Sequence, residues 1–243
     1  MGDIRYAIYF SPEPESRLWL FGSRWLGRDT ATGDDLKRLA VKDISAKRLA
    51  EITAAPAHYG FHATLKPPFR LAKGHDLEML DEALEAFAAA REPFTIAGLE
   101  LAELDGFIAL RSINNSKALD RLAADCVKEF DHFRKAPSKK ELGKRLKGDL
   151  TPRQKKMLEK WGYPYVMDEF RFHMTLTERL KGKERKAVLA ELEGHAKKVV
   201  GKKLKVDVIT LCKQSNADAP FEVVKCYQFN RLPKTRWPQR KKK

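Results

Sequence analysis

Two short segments of this chain carry the same chemistry. Phe61-His62-Ala63-Thr64-Leu65 matches Phe172-His173-Met174-Thr175-Leu176. Side chains alternate between the two faces of a strand. His62 and Thr64 therefore point one way, and Lys66 joins them if the strand continues. Arg171, His173, Thr175 and Thr177 share a face in the second segment, while Phe170, Phe172, Met174 and Leu176 share the apolar one. Each strand offers imidazole, hydroxyl and cation above an apolar floor. An imidazole has a reference pKa of about 6.5, so one ring can accept a proton while another donates one near neutrality. Threonine hydroxyls can bond the non-bridging oxygens of a phosphate, and Lys66 and Arg171 can offset its charge. His62 and His173 are the candidate catalytic pair. Thr64, Thr175, Lys66 and Arg171 are the candidate phosphate ligands. Tyr59, Thr177 and Tyr163 are candidate pocket residues, and at most one of Tyr6 and Tyr9, on opposite faces of one strand, can line a central cleft. The design requires no metal, and neither motif contains carboxylate ligands.

The elements that position these residues read twice as strand, helix, strand, strand. In the first pass, Tyr59–Lys66 is a strand, His75–Arg91 an amphipathic helix, and Phe94–Glu103 and Gly106–Ser112 two strands. Asp105-Gly106 is a hairpin signal between them. In the second pass, Phe170–Thr177 is a strand, Lys183–Lys198 a helix, and Lys203–Lys213 and Phe221–Phe229 two strands. Ahead of both lie a strand at Ile4–Phe10, a helix at Glu15–Leu26 and a helix at Ser45–Ala55, with Ser45 as N-cap and Pro56 as its end. Between the passes lie a helix at Asn114–Phe133 and two short helices in 134–160, the second starting at Thr151-Pro152. Two copies suggest two similar lobes rather than a solenoid. The expected organisation is one bilobal domain over 1–230. It comprises lobe one to about 112, a helical basic insertion to about 165, lobe two to about 230, and a basic tail at 231–243.

The doubled His-x-Thr pattern resembles the two-histidine (2H) phosphoesterase superfamily. The longer stretches Tyr59-Gly60-Phe61-His62-Ala63-Thr64-Leu65-Lys66-Pro67-Pro68-Phe69, Trp161-Gly162-Tyr163-Pro164-Tyr165-Val166 and Phe170–Thr177 are similar to one branch, phosphonate-metabolism proteins with a 2H-like core. The resemblance runs from Arg5 to about Phe229. It implies a bilobal α+β fold with the active site in the cleft between lobes. It also implies that His62, Thr64, His173 and Thr175 are the functional quartet, and that the substrate is a small phosphorylated or cyclic phosphate compound. The basic segment Ala136–Lys160 departs from compact members of the superfamily, and a roof over the cleft would disfavour RNA-length substrates.

Composition bounds these expectations. The 243 residues carry a net charge of +15, with 43% apolar and 33% charged residues, which is globular composition. The charge is uneven: −3 over 1–112, +5 over 113–169 and +13 over 170–243. An acidic first half argues against a general nucleic-acid coat. Segment 134–160 reads either as a solvated helical pair or as a lid bringing cations to an anionic ligand. Cys126, Cys212 and Cys226 are odd in number and lack C-x-x-C spacing, which argues against a disulfide framework or a cysteine zinc site. No apolar run can span a bilayer, and the start does not read as a secretory signal. The chain is thus expected to be cytoplasmic, without cofactor or obligate protein partner. Its expected partner is a small phosphorylated substrate, an RNA end being the second candidate. The leading function is a metal-independent phosphodiesterase or related phosphoryl-transfer enzyme. The rivals are a non-catalytic binder using the same cleft and a nucleic-acid binder driven by the basic half.

Overall fold

Helix starts follow their capping residues. Ser16, Ser45, Asp76, Ser116, Ser138 and Thr151 each accept a backbone N–H of the first turn through the side chain. In a computed structural model, residues 4–42 and 44–230 are described, and the basic tail at 231–243 lies outside them. The chain order is β1 (Arg5–Phe10), α1 (Arg17–Leu26), α2 (Ala46–Tyr59), β2 (Ala63–Phe69), α3 (Leu77–Ala89), β3 (Phe94–Ile96), β4 (Leu99–Leu104), β5 (Phe107–Ser112), α4 (Lys117–Glu129), α5 (Lys139–Leu146), α6 (Pro152–Trp161), β6 (His173–Thr175), α7 (Gly182–Ala196), β7 (Leu204–Val206), β8 (Val208–Gln214) and β9 (Glu222–Gln228). The class is α+β.

One seven-stranded sheet, ordered β4-β5-β6-β2-β1-β8-β9, carries the fold, and β3 and β7 form a second, two-stranded sheet. The large core lies on one face of the main sheet, where Ala63, Leu65, Met174 and Leu176 point. The order has an internal two-fold between β2 and β6. Rotation about it lays β1-β2-α3-β3-β4 on β5-β6-α7-β7-β8, with β9 left over. The repeating unit therefore starts one strand earlier than the sequence suggests, and β5 matches β1 rather than β9. The segment read as an insertion is the counterpart of the α1–α2 connection. The halves also interleave. β4 of the first half pairs with β5 of the second, β1 pairs with β8, and β3 pairs with β7. The Trp25 indole on α1 donates to Leu176 O (3.0 Å), and Lys66 on β2 donates to Val127 O of α4 (3.2 Å).

Four local departures have physical causes. Pro56 lies inside α2, which runs on to Tyr59. The Ile52 carbonyl that Pro56 cannot serve accepts Glu178 N–H at 2.8 Å instead. The strand expected at 94–103 splits at Gly98 (φ 142°), where a Cβ would lie 2.5 Å from Lys202 O. The second histidine strand is three residues long, because Met167–Glu169 forms a 3-10 turn before it. After it, Leu176 and Thr177 both donate to Ile108 O. Finally, β2 carries a bulge. Tyr9 pairs with Thr64 but Ile8 with Lys66, so two steps on β2 oppose one on β1.

Candidate active site

A single cross-strand pair sets the site. Ala63 lies opposite Met174, and both are fully buried in the core. Their neighbours must project from the other face, so His62, Thr64, His173 and Thr175 all do. In antiparallel pairing His62 then stands beside Thr175, and Thr64 beside His173, with Cβ separations of about 4.5–5.5 Å for such neighbours. The two-fold relates the two His/Thr pairs.

Both imidazoles are anchored alike. His62 donates from Nδ1 to Gly60 O at 2.8 Å, and His173 from Nδ1 to Arg171 O at 2.7 Å. A carbonyl only accepts, so each Nδ1 carries its proton and each neutral ring keeps Nε2 as an acceptor. His62 Nε2 lies 3.1 Å from Thr64 Oγ1. The first anchor depends on Gly60, which ends α2 at φ 80° and packs so closely that a Cβ would sit 2.0 Å from Thr30 Oγ1.

The quartet lines a cavity of about 700 Å³. Tyr59, Thr177 and Tyr163 line it too, as do Arg5, Tyr9, Phe107, Arg145, Leu150, Leu158 and Arg179. Arg145, Leu150 and Leu158 come from the basic segment, so its helices form part of the cavity wall. The two halves differ at the positions that pair with the two threonines. Tyr9 pairs with Thr64 and Ala109 with Thr175, so the two-fold sets Tyr9 against Ala109. The Tyr9 ring stacks on His62 at 3.6 Å between centroids and 21° between planes. Burial brings the His62 pKa down to about 4; the Gly60 carbonyl opposes this and His173 adds slightly to it. Tyr9 is 1% exposed, and its hydroxyl has no hydrogen-bond partner among the described residues. Tyr59 stacks on Phe221 at 5.4 Å beside it. Burial raises the Tyr163 phenol, with Tyr165 and Tyr59 adding to the effect.

Two of the sequence candidates lie elsewhere. The bulge after Thr64 turns Lys66 to the opposite face, where it is 2% exposed, bonded to Val127 O and 3.6 Å from Asp131. The Arg171 side chain is exposed over a separate groove with Arg111, Arg121 and Lys128. Its carbonyl, not its guanidinium, serves the site. Thr177 is at the cavity, but its hydroxyl accepts Ile108 N–H and donates to Glu178 O. Tyr59 ends α2 rather than opening β2. Tyr9 is the first-strand tyrosine that lines the cleft. Arg5, Arg145 and Arg179 had no motif to mark them.

Among the described residues no three His, Cys, Asp or Glu side chains group as a metal site, and no helix is long and apolar enough to cross a membrane. The sequence model of the family described as "Protein of unknown function (DUF1045)" matches residues 64–222. The chain is 35% identical over 233 residues to "Ribose 1,5-bisphosphate phosphokinase PhnN" of Janthinobacterium sp. (strain Marseille), covering 94% of this chain and 50% of that protein. It is also 35% identical to the protein of the same name from Laribacter hongkongensis (strain HLHK9), covering 79% and 44%. The chain thus spans about half the length of the curated relatives it matches. Similar solved structures include E. coli LigT complexed with 3′-AMP (TM-score 0.41, 14% identity, 93% of this chain and 98% of that one). Another is TT0787 of Thermus thermophilus (TM-score 0.45, 14% identity, 93% and 98%).

Proposed function

We propose that this chain, which belongs to the family of proteins of unknown function (DUF1045), is a two-histidine phosphodiesterase acting on a small cyclic phosphate ester in phosphonate metabolism. One observation carries the reading. Two imidazoles related by the two-fold each fix Nδ1 on a carbonyl two residues back and leave Nε2 to one shared cavity. Matched anchoring of that kind suits two proton transfers at one reacting centre.

The two rings take different roles. His62, held neutral by burial, is the base. Its Nε2 takes a proton from water as the water oxygen bonds to phosphorus. The ester P–O bond breaks, and protonated His173 delivers its Nε2 proton to the leaving oxygen. One water is consumed and a diester becomes a monoester. The two rings end with exchanged protonation and reset through solvent. Thr64 and Thr175 donate hydroxyl protons to the non-bridging oxygens. A phosphate oxygen that takes the Thr64 proton also releases His62 Nε2 to act. The cavity walls from α5 and α6 favour a small compound over an RNA end. The 35% identity to proteins named for ribose 1,5-bisphosphate supports a sugar phosphate as the substrate class.

The test is turnover of small cyclic phosphates, such as ribose and nucleoside cyclic phosphates, by wild type, His62→Ala and His173→Ala, with and without chelator. General acid–base catalysis of this kind contributes about 10²–10⁴-fold, so each variant should lose that much. Wild-type activity should survive chelation. Full activity in both variants, or its loss on chelation, would refute the reading. Substrate binding retained without any wild-type turnover would instead mark the cleft as a binding site only.

A further inference from the structure

We propose that the cavity contains a second anion subsite, and that the substrate is an ester bearing a further anionic group such as a second phosphate, a phosphonate or a carboxylate. This rests on the phosphodiesterase reading for the reacting ester, but the subsite itself rests on other residues. The lining holds three guanidinium groups, from β1 (Arg5), from α5 (Arg145) and from the loop after β6 (Arg179). Arg5 donates from Nε to Gln214 Oε1 at 2.6 Å and lies over the Phe221 ring. Arg145 donates from Nη1 to Gly162 O at 3.0 Å. Among the described residues none of the three closes an ion pair with a carboxylate. The one carboxylate in the lining, Glu178, lies 3.9 Å from Arg48 and is engaged there.

A phosphodiester carries one negative charge. The protonated imidazole and two threonine hydroxyls already meet it, so three further guanidiniums exceed what that ester uses. Guanidinium forks are suited to oxyanions, which they bind through paired N–H donors. At about 700 Å³ the main cavity has ordinary dimensions for a small-molecule site, with room beyond one phosphate.

The experiment compares compounds that differ only in a remote phosphate. Turnover is measured with 2′,3′-cyclic AMP and with its 5′-phosphate. Binding is measured by calorimetry with adenosine 2′-monophosphate and adenosine 2′,5′-bisphosphate. Wild type should favour each compound that carries the remote phosphate by roughly 10–100-fold, the range for charge-assisted hydrogen bonds. In Arg145→Gln and Arg179→Gln the preference ratio should fall toward one. Equal affinity of wild type for the two probes of a pair would overturn the proposal, as would variants that weaken both alike. If neither cyclic compound is turned over but bisphosphate binding still depends on the arginines, the subsite stands and the phosphodiesterase reading falls.

Discussion

Replacing Tyr9 with alanine isolates what makes the two histidines unequal. The phenol ring covers one face of His62 at 3.6 Å, where the two-fold offers His173 only Ala109. Burial holds His62 at a pKa of about 4 against an ordinary 6.5. That gap is roughly 300-fold in proton affinity, or about 3 kcal/mol at 1.36 kcal/mol per unit, and somewhat less because the ring edge meets the cavity. Tyr9→Ala admits water to the covered face while leaving the Gly60 anchor. The His62 pKa should rise by about 1–2 units. The unfolded chain binds this proton more readily than the folded one between pH 6.5 and 4. The stability His62 confers is therefore complete above 6.5 and lost as pH falls through 4. In Tyr9→Ala that acid slope should flatten, and the acid limb of kcat/KM should move up by the same 1–2 units. Tyr9→Phe keeps the ring and should leave both unchanged. NMR titration of the His62 ring, assigned with His62→Gln, gives the direct reading. A His62 that titrates at the same pH in wild type and Tyr9→Ala would refute the argument.

Further outcomes follow from the geometry. Gly60→Ala must accommodate a side chain at φ 80° against Thr30, so it should cost about 1–3 kcal/mol in denaturant unfolding. It should also lower kcat more than it raises KM, by displacing the carbonyl that orients His62. Lys66→Met and Arg171→Ala should each keep kcat/KM within about twofold, since neither side chain reaches the cavity. Lys66→Met should show itself in stability instead. Burial lowers the Lys66 pKa to about 8, despite the opposing pull of Asp131, so stability should climb as pH rises from 8 to 10.5 in wild type. The methionine variant should lack that climb.

The shared face of the His/Thr quartet was legible because it depends on period-two alternation and needs only one residue on either side of Ala63 and Met174. Lys66 was misplaced by one bulged residue, and a bulge leaves no mark in Thr64-Leu65-Lys66. Arg171 failed differently: β6 begins only at His173, so alternation does not reach back to it. Pro56 read as a helix end because its lost hydrogen bond is replaced from Glu178, over a hundred residues away. The boundaries of the repeat were obscured because strands adjacent in sequence, β4 and β5, belong to different halves of the two-fold. Tyr9 was half legible. Alternation allowed one first-strand tyrosine in the cleft, but only the sheet order says that the cleft lies on its side.

The pairing of β1 with β8 has a consequence for how the chain is made. Arg5 meets Gln214, 209 residues further on. At roughly 5–20 residues per second, synthesis leaves about 10–40 s between the emergence of β1 and that of its partner. Through that interval one edge of β1 has no neighbour in the sheet, and an open strand edge is a template for another chain. The nascent first half can make its own hairpin but cannot seal that edge. Protection of the growing chain, by a chaperone or by slow association, therefore matters most before Val208 is translated, and ribosome-stalled chains ending short of it should be the ones that self-associate.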